Sequence, residues 1–348
     1  GAKWCKCTHY PCAEISALAT LSGSLCVTVI YIPLMLFGLL GNILTILVVW
    51  LRPHMRTSTY LYLSSMAVSD LLILLLLPLD LYKLWRPRPW PLGDLACKLT
   101  MFLSECCTFC TILHITFLSL ERYLAVCWPI TAKTVVTRRR TRAIIGCLWL
   151  SAAVSAAPVL VMVGVEDWGE KETKSWEERR ECRCTHFAIS SGLLSAMMIL
   201  SNLYFLVPLC ILGVVYSLIG RTLWLRPKSS RRDQSHRNTV KMLGVIVLAF
   251  VLCWLPFHVG RTIFSLSLVF SDTYAPPDTH LYFLYYLSQY FNLVSSVLFY
   301  LSAAINPLLY NLMSARYRHA VRSLIRTQSH AQARRMHTLT VHHSTTTL

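Results

Sequence analysis

Charged side chains stand at both ends of a single apolar segment of this sequence. Arg122, within Glu121-Arg122-Tyr123, closes an apolar stretch that begins near Leu99. Desolvating an arginine there is costly, so the position indicates function, although an arginine that snorkels to the lipid boundary is the simpler alternative. Glu105 lies seventeen residues earlier, which is about 25 Å along a helix. The spacing predicts two polar centres joined by one membrane-spanning helix.

A binding pocket is predicted around Glu105. Polar side chains of three further apolar segments reach a similar level, and aromatic side chains surround them. This mixture is typical of a wide, part-charged pocket. We expect an ion pair of Arg261 with either Glu105 or Asp80 inside it, and a purely structural salt bridge is the alternative. The residues at this level are Asp80, Glu105, Arg261, Gln289, Phe257, Tyr290 and Phe299.

A second polar cluster is predicted deeper in the segments. Asp70 lies among leucines in the middle of a segment, and an ionisable group there nearly always faces the protein interior. Asn42 and Asn306 fall at a comparable depth. The three side chains predict either a hydrogen-bonded packing network or a cation site, and we favour a network that holds a sodium ion.

Kinks are predicted inside the apolar segments, because each proline removes a backbone hydrogen bond. Cys253-Trp254-Leu255-Pro256 places a bulky indole beside one such kink, so Trp254 is a candidate lever. The prolines within the segments are Pro78, Pro158, Pro208, Pro256 and Pro307.

Seven apolar blocks are each long enough to cross the hydrocarbon layer as a helix. The chain of 348 residues is 55% hydrophobic and 14% charged, whereas about a quarter of the residues of a soluble domain are charged. The blocks far exceed the short alternating strands of a membrane β-barrel. The predicted fold is an all-α integral membrane protein, a seven-transmembrane helix bundle. Its spans are expected near 25–51, 58–84, 95–126, 140–163, 188–224, 238–268 and 281–312.

The ends of the chain are expected to lie outside the bundle. Residues 1–24 are predicted to be an extracellular N-terminus, and the first span is expected to serve as the insertion signal. Residues 313–326 alternate apolar residues with arginines at helical spacing, which indicates an amphipathic helix on the membrane surface. Residues 327–348 are polar and are expected to form a disordered cytoplasmic tail.

The net charge of +17 could suggest nucleic acid, but its distribution indicates a membrane topology. Basic residues crowd the alternate connections near 52–56, 133–142 and 226–237, together with the tail. The connection 166–186 instead mixes acidic residues with its cations. By the positive-inside rule the N-terminus is outside and the C-terminus is cytoplasmic, and we expect no nucleic-acid partner.

Cysteines on the outer side predict one or two disulfides. Cys97 begins the third span and Cys182 lies in the long outer connection, so a bridge between them would pin that connection over the bundle. Cys184 is a competing partner. The N-terminal cysteines offer a second bridge, or a zinc site with His9, and a disulfide is favoured outside the cell. These cysteines are Cys5, Cys7 and Cys12.

Motifs in all seven segments resemble those of the rhodopsin-like (class A) G-protein-coupled receptors. Jointly they are very specific, because they occur in order along the chain. They are Gly41-Asn42, Leu63 to Asp70, Glu121-Arg122-Tyr123, Trp149, Pro208 with Tyr216, Cys253-Trp254-Leu255-Pro256 and Asn306-Pro307-Leu308-Leu309-Tyr310.

Longer runs over roughly residues 25–326 resemble the ghrelin and motilin receptor subfamily. His114 and the run Thr137-Arg138-Arg139-Arg140 are more similar to motilin receptors. Met101 and Ser296 stand where ghrelin receptors carry Gln and Phe. The long proline-rich outer loop of mammalian motilin receptors is absent. Motilin-receptor-like is the favoured interpretation, and a ghrelin receptor or a related neuropeptide receptor is the alternative.

The resemblance implies a peptide hormone receptor of the plasma membrane that activates a heterotrimeric G protein, expected to be of the Gq type. It also implies arrestin and receptor kinases as further partners, and an allosteric sodium ion in place of a cofactor. The implied ligand site is Asp80, Met101, Glu105, Phe257, His258, Arg261, Gln289, Ser296 and Phe299. The implied sodium network is Asn42, Asp70, Thr111, Ser302 and Asn306. The implied activation switch is Glu121, Arg122, Tyr123, Trp254, Pro208, Ile112, Phe250, Tyr216 and Tyr310.

Other classes of protein fit these residues less well. A transporter would show inverted repeats and interrupted helices at the midplane. A retinal-binding pump or opsin would need a lysine in the seventh segment, and residues 281–312 contain none. An enzyme would need a nucleophile with a base, or a set of metal ligands. The predicted function is signal transduction, in which peptide binding shifts an equilibrium between inactive and active conformations.

Overall fold

The computed structural model describes most of the chain. The described part excludes residues 1–10 and 327–348. It also excludes the side chains of 11–23 and 264–290 and several single side chains elsewhere. The predicted N-terminal bridge of Cys5, Cys7 and Cys12 and the predicted tail therefore lie outside the described residues. The described backbone comprises residues 11–86, 89–167, 180–225, 231–273 and 279–326.

Helices form nearly all of the described chain, and seven regions of them are long and apolar enough to cross a membrane, as predicted. The spans lie in α1, α2, α3, α5 with α6, α8, α9 and α10. The helices are α1 (Pro11–Leu51), α2 (Ser58–Trp85), α3 (Gly93–Cys127), α4 (Pro129–Val135), α5 (Arg138–Ala156), α6 (Val159–Met162), α7 (His186–Ser190), α8 (Leu193–Leu225), α9 (Arg231–Thr273), α10 (Thr279–Met313) and α11 (315–326).

The spanning helices turn apolar side chains both inward and outward. Each helix satisfies its backbone polar groups within itself, which a lipid environment requires. Large apolar side chains such as Phe37 and Leu150 are about two-thirds exposed or more, at 73% and 67%, on the surface that lipid would cover. The most enclosed span is α3, which packs against α2, α5 and α8. The helix that carries Glu105 and Arg122 is therefore the central one.

Two predicted spans are interrupted. The fourth, expected over 140–163, divides at Pro158 into α5 and α6, because proline cannot donate the next backbone hydrogen bond. The fifth, expected from residue 188, begins at Leu193 instead. Gly192 has φ of 74°, a left-handed conformation that ends the short helix α7.

A β-hairpin covers one end of the bundle and was not predicted. Strands β1 (Val163–Asp167) and β2 (Arg180–Cys184) pair antiparallel, with Val165 opposite Cys182. The disulfide Cys97–Cys182 joins β2 to α3 over a Cα–Cα distance of 5.6 Å, which confirms Cys182 over Cys184 as the partner. The Val165 amide also donates to Asp94 Oδ1 at 3.0 Å. We call this the disulfide end of the bundle, and the opposite end the Arg122 end.

The short helix α11 is docked against the Arg122 end by hydrogen bonds. The hydroxyls of Tyr317 and Thr45 lie 2.9 Å apart, and so do those of Tyr60 and Ser314. The buried face of α11 consists of Tyr317, Ala320 and Leu324. Its arginines lie on the other side, so the helix is amphipathic.

Candidate functional site

A buried ion pair joins α3 to α9 near the disulfide end. Arg261 Nη1 donates to Glu105 Oε2 at 2.6 Å. Glu105 is 6% exposed, and its second oxygen, Oε1, is buried without a hydrogen-bond partner among the described residues. A buried carboxylate with one unpaired oxygen is costly, because its desolvation is only half compensated. The pair therefore offers an acceptor to an incoming cation or N–H group.

Of the two predicted ion pairs of Arg261, the pair with Asp80 does not form. Asp80 Oδ2 accepts a hydrogen bond from the Tyr300 hydroxyl, and Asp80 Oδ1 lies 3.8 Å from Lys83 Nζ. Lys83 in turn lies 5.1 Å from the centroid of the Trp90 ring. The level of Glu105 thus contains two separate charged groups, one between α3 and α9 and one between α2 and α10.

Aromatic rings form the floor beneath the ion pair. The Trp254 ring, 1% exposed, meets Phe257 and Phe299 edge-on at centroid distances of 5.7 and 5.4 Å. His258 stacks on Phe205 at 4.5 Å, and both of its ring nitrogens are buried without a partner among the described residues. These contacts place Phe257, His258 and Phe299 together, as the family resemblance implied. They also put Trp254 directly below them.

The remaining residues of the implied ligand site differ in position. Met101 is half-buried in the first part of α3. The Ser296 hydroxyl donates to the Leu293 carbonyl at 2.9 Å, so its hydrogen is already used within α10. The side chains of Gln289 and Tyr290 lie outside the described part of the chain.

The deeper polar cluster forms around Asp70, and Asn42 makes no direct hydrogen bond to that carboxylate. Asn306 Nδ2 donates to Asp70 Oδ2 at 2.9 Å, which ties α10 to α2. The Asn42 amide instead gives its two hydrogens to the carbonyls of Gly38 and Ala303, both at 2.9 Å. Both Asn42 N–H groups are therefore used within α1 and α10, whereas its Oδ1 is buried without a hydrogen-bond partner among the described residues.

The hydroxyls implied to complete the sodium network also lie close by. Ser69 and Thr111 are 3.0 Å apart between α2 and α3, and the Ser302 hydroxyl donates to the Phe299 carbonyl at 2.7 Å. A cavity of about 10 Å³ beneath Trp254 is lined by Thr111, Ser302 and Asn306, among others. It is about the size that one water occupies. Carboxylate, hydroxyl and amide oxygens are the ligands that a hard cation prefers. The cavity offers the hydroxyl and amide oxygens, and Asp70, which accepts from Asn306, is not among its lining residues.

At the Arg122 end, Glu121 binds two partners at once. Arg122 Nη2 lies 2.9 Å from Glu121 Oε1, and the Ser58 hydroxyl donates to Glu121 Oε2 at 2.5 Å. Ser58 has a single hydrogen, so the Thr141 hydroxyl, 2.5 Å away, must donate to Ser58. The chain from Thr141 to Ser58 to Glu121 links α5, α2 and α3. Ser58 and Thr141 were not predicted, and only their place in the first turns of α2 and α5 could have indicated them.

A second unpredicted chain of hydrogen bonds joins the same three helices at mid-depth. His114 Nδ1 lies 2.7 Å from the Cys110 carbonyl, so this nitrogen carries the hydrogen. Nε2 then accepts from Ser65 at 2.9 Å, and Ser65 accepts from Trp149 Nε1 at 3.0 Å. Every polar hydrogen in this chain has an acceptor, so the contact fixes α3 against α2 and α5.

The other implied switch residues line the route between the two ends. Rings of Phe205, Phe250 and Trp254 follow one another at centroid distances of 5.8 and 5.9 Å. Tyr216 lies 3.5 Å from Ser119 through their hydroxyls. The Tyr123 hydroxyl accepts from Trp128 at 3.3 Å. The remaining three, Ile112, Pro208 and Tyr310, are all buried.

A family model described as "7 transmembrane receptor (rhodopsin family)" matches residues 41–310. This is well over half of the chain, and the chain belongs to the rhodopsin family of seven-transmembrane receptors. Membership of this family agrees with the predicted seven-helix bundle and with the prediction that the protein is a receptor and not an enzyme. The family and the seven spans make the chain a multi-pass protein of the plasma membrane.

Within that family the chain is similar to receptors of the ghrelin and motilin subfamily. It is 52% identical to the growth hormone secretagogue receptor type 1 of Sus scrofa over 305 residues, covering 86% of this chain and 80% of the relative. It is 43% identical to the human motilin receptor over 361 residues, covering 90% and 84%. It is 32% identical to the human neurotensin receptor type 1 over 336 residues, covering 89% and 78%.

These identities establish a G-protein-coupled peptide receptor of the ghrelin and motilin subfamily, as predicted. They also reverse the predicted preference for a motilin-type receptor over a ghrelin-type receptor. Identity to the secretagogue receptor exceeds identity to the motilin receptor, so the relatives favour the predicted alternative over the predicted first choice.

Proposed function

We propose that an extracellular peptide binds at the disulfide end and engages the Glu105–Arg261 ion pair. The observation that carries this proposal is the buried Glu105 Oε1, which lies beside Arg261 above the Trp254 floor and has no hydrogen-bond partner in the described part of the chain. A cationic group of the peptide would satisfy that oxygen, and a carboxylate or carbonyl would compete for Arg261. The bound peptide thereby changes the partners of α3 and α9 together.

The agonist we propose first is a growth hormone secretagogue of the ghrelin type, and motilin is the second candidate. The printed name and higher identity of the secretagogue receptor support the first. Motilin is supported by Met101 and Ser296, which differ from the residues of ghrelin receptors in the resemblance noted above. Because the Ser296 hydroxyl is already used within α10, we expect this position to contribute mainly shape to the pocket.

The route from the ligand to the G protein runs down α9. Trp254 lies seven residues, or two helical turns, below Arg261 on this helix, and Pro256 lies between them. A shift of Arg261 would therefore move the Trp254 ring against Phe250 and change the bend at Pro256. We propose that this opens the Arg122 end, where Arg122 leaves Glu121 and binds a G protein of the Gq type.

Three further parts of the proposal concern orientation, sodium and desensitisation. The basic connections and α11 favour a cytoplasmic Arg122 end and C-terminus, with the N-terminus outside. A sodium ion would be held by Asp70 with Thr111, Ser302 and Asn306 and would stabilise the inactive packing of α2 against α10. Receptor kinases and arrestin would act on the serines and threonines within 327–348.

Calcium mobilisation in transfected cells tests the proposed function. Acyl-ghrelin, desacyl-ghrelin and motilin are applied in parallel, and surface expression is measured for each variant. We expect a strong response to acyl-ghrelin that a Gq inhibitor abolishes. A response to motilin alone would select the second candidate. No response to any of the three, with normal surface expression, would refute the ligand assignment and leave the receptor class intact.

A further inference from the structure

The connection between α4 and α5 carries a run of arginines that neither the ligand site nor the Glu121–Arg122 contact uses. Arg138, Arg139 and Arg140 begin α5, and all three side chains are exposed. Arg142 follows in the same exposed state. Residues 122–165 contain no Asp or Glu. The run is therefore a concentrated positive surface to which its own segment of the chain contributes no carboxylate.

An exposed threonine with extended backbone directly precedes this run. Thr137 has φ of −120° and ψ of 151°, and Val136 before it is also extended, with φ of −86° and ψ of 91°. The Thr137 hydroxyl oxygen accepts a long hydrogen bond from the Arg140 amide, at 3.4 Å. A hydrogen bond of this length is weak, so the hydroxyl can leave it at little cost.

The neighbouring hydroxyls are held more firmly. Thr134 lies within α4 and donates to the Thr131 carbonyl at 2.8 Å. Thr141 is 1% exposed, and its hydroxyl lies 2.5 Å from that of Ser58. Thr137 therefore differs from these threonines, because an enzyme could reach it in an extended segment.

We propose that Thr137 is phosphorylated by a protein kinase that selects basic substrates. The arginines after Thr137 would pair with carboxylates of the kinase's substrate groove. The first turn of α5 must open for this, and like charges four residues apart, as in Arg138 and Arg142, already weaken it. The proposal rests on the proposed cytoplasmic orientation of the Arg122 end.

The transfer itself needs ATP from the cell and no other reactant. The Thr137 oxygen attacks the γ-phosphorus of ATP, and the bond from that phosphorus to the β-phosphate oxygen breaks. The hydroxyl proton passes to the catalytic carboxylate of the kinase, and ADP leaves.

A phosphate on Thr137 would compete for Arg140. Arg140 Nη1 donates to the carbonyls of Thr134 and Val135 at 3.0 and 3.4 Å, so it ties the last turn of α4 to α5. A dianionic phosphate is a stronger acceptor for a guanidinium than two neutral carbonyls are. The phosphate would therefore release the end of α4, the helix that follows α3 beyond Arg122. We expect the released helix to lower the efficiency with which the Arg122 end engages a G protein.

Site-resolved mass spectrometry of the full-length receptor in nanodiscs tests the assignment. Both faces of a nanodisc are accessible, so this result depends neither on the orientation in cells nor on the agonist. The receptor is treated with ATP and either the catalytic fragment of protein kinase C, which selects basic substrates, or an acidophilic casein kinase. We expect protein kinase C alone to modify Thr137. Thr137→Ser keeps a hydroxyl and should be modified, Thr137→Val should not, and Thr134→Val is the matched control that leaves Thr137 a substrate.

Arginine variants show whether the run directs the kinase. Arg138→Gln and Arg139→Gln should each lower kcat/KM for Thr137 by about tenfold, the effect of losing one charge-assisted hydrogen bond. Arg322→Gln, the same change at an exposed position of α11, should leave it unchanged. Absence of phosphate on Thr137, equal modification by the acidophilic kinase, or a kcat/KM that both arginine variants leave unchanged would overturn the proposal.

Nucleotide exchange on Gq, stimulated by acyl-ghrelin, measures the consequence for α4. Kinase-treated wild type should catalyse exchange about tenfold more slowly than kinase-treated Thr137→Val, if one charge-assisted contact changes partner. Both proteins carry whatever other sites the kinase modifies, so the difference reports Thr137 alone. A phosphatase should restore the wild-type rate. Equal rates in the two treated proteins would overturn the proposed release of α4.

Discussion

Removing the Ser58 hydroxyl should raise signalling in the absence of agonist. Ser58 donates to Glu121 Oε2 at 2.5 Å, and Glu121 Oε1 holds Arg122 at 2.9 Å. Without Ser58 the carboxylate loses its link to α2 and, through Thr141, to α5. Glu121 then holds Arg122 from one helix alone. The inactive conformation is weakened, and the active one, in which Arg122 is released, is affected less.

The size of the effect follows from the type of hydrogen bond. A hydrogen bond to a charged group contributes about 1.5–3 kcal/mol net, and the lower value applies here because Ser58 is only half-buried. A difference of about 1.4 kcal/mol is tenfold in an equilibrium constant. If about 1% of receptors are active without agonist, Ser58→Ala should raise this fraction to about one-tenth. Thr141→Val removes one neutral hydrogen bond and should raise it by about fivefold or less.

Agonist-independent inositol phosphate accumulation, divided by surface expression, measures this change. Ser58→Thr keeps the hydroxyl and should restore low basal signalling. Ser217→Ala is the matched control, because this exposed serine donates to the Gly213 carbonyl within its own helix α8. Basal signalling of Ser58→Ala equal to that of Ser217→Ala would show that Glu121 holds Arg122 without help from α2.

Four further predictions concern the other polar contacts. Glu105→Gln and Arg261→Gln should each lower peptide potency by about 30-fold, the effect of losing a central binding residue. Lys98→Gln, which breaks the exposed pair with Asp94, should leave potency unchanged. Wild-type potency in the Glu105 and Arg261 variants would remove this ion pair from the binding site. Asp70→Asn should abolish the loss of agonist affinity that sodium chloride causes relative to choline chloride, and an unchanged salt response would place sodium elsewhere. Cys182→Ser opens a loop of 85 residues and should lower the free energy of unfolding by about 2–5 kcal/mol. A reductant should lower the Tm of the wild type but not that of the variant. Equal Tm values of the unreduced wild type and the variant would contradict a stabilising disulfide. Burial raises the pKa of the Cys184 thiol above its ordinary value. Labelling of this thiol by an impermeant maleimide should therefore be slow at pH 7.4 and accelerate as the pH rises, with Cys184→Ser measuring the background. Rapid labelling of Cys184 at pH 7.4 would contradict the raised pKa.

The sequence predicts those features that depend on one helix at a time. Seven apolar blocks give the seven spans, because a lipid environment leaves the backbone little choice but the helix. The Arg261–Glu105 pair is also predictable, since two opposite charges at one depth rarely stay apart in an apolar interior. The choice between Glu105 and Asp80 required the structure, because it depends on how α9 is rotated.

Features that depend on contacts between helices and connections could not be predicted. Asn42 falls at the depth of Asp70, but its amide turns to the backbone of α1 and α10. Ser58 and Thr141 are ordinary residues for a helix start, and only the packing of three helix ends brings them to Glu121. The hairpin of β1 and β2 is held by a disulfide and by Asp94, so its strands depend on distant parts of the chain.

Agonist affinity measured with and without a G protein tests the central claim most directly. If the Glu105 site and the Arg122 end are coupled, a bound G protein must raise the affinity for the agonist. The agonist must raise the affinity for the G protein by the same factor, typically about 5–150-fold. The wild-type receptor in nanodiscs, titrated with labelled acyl-ghrelin, should bind more tightly when nucleotide-free Gq is present. Added GTP should reverse the gain, and Arg122→Ala should abolish it. An affinity for acyl-ghrelin that is measurable but unaffected by Gq would contradict a switch that connects the two ends.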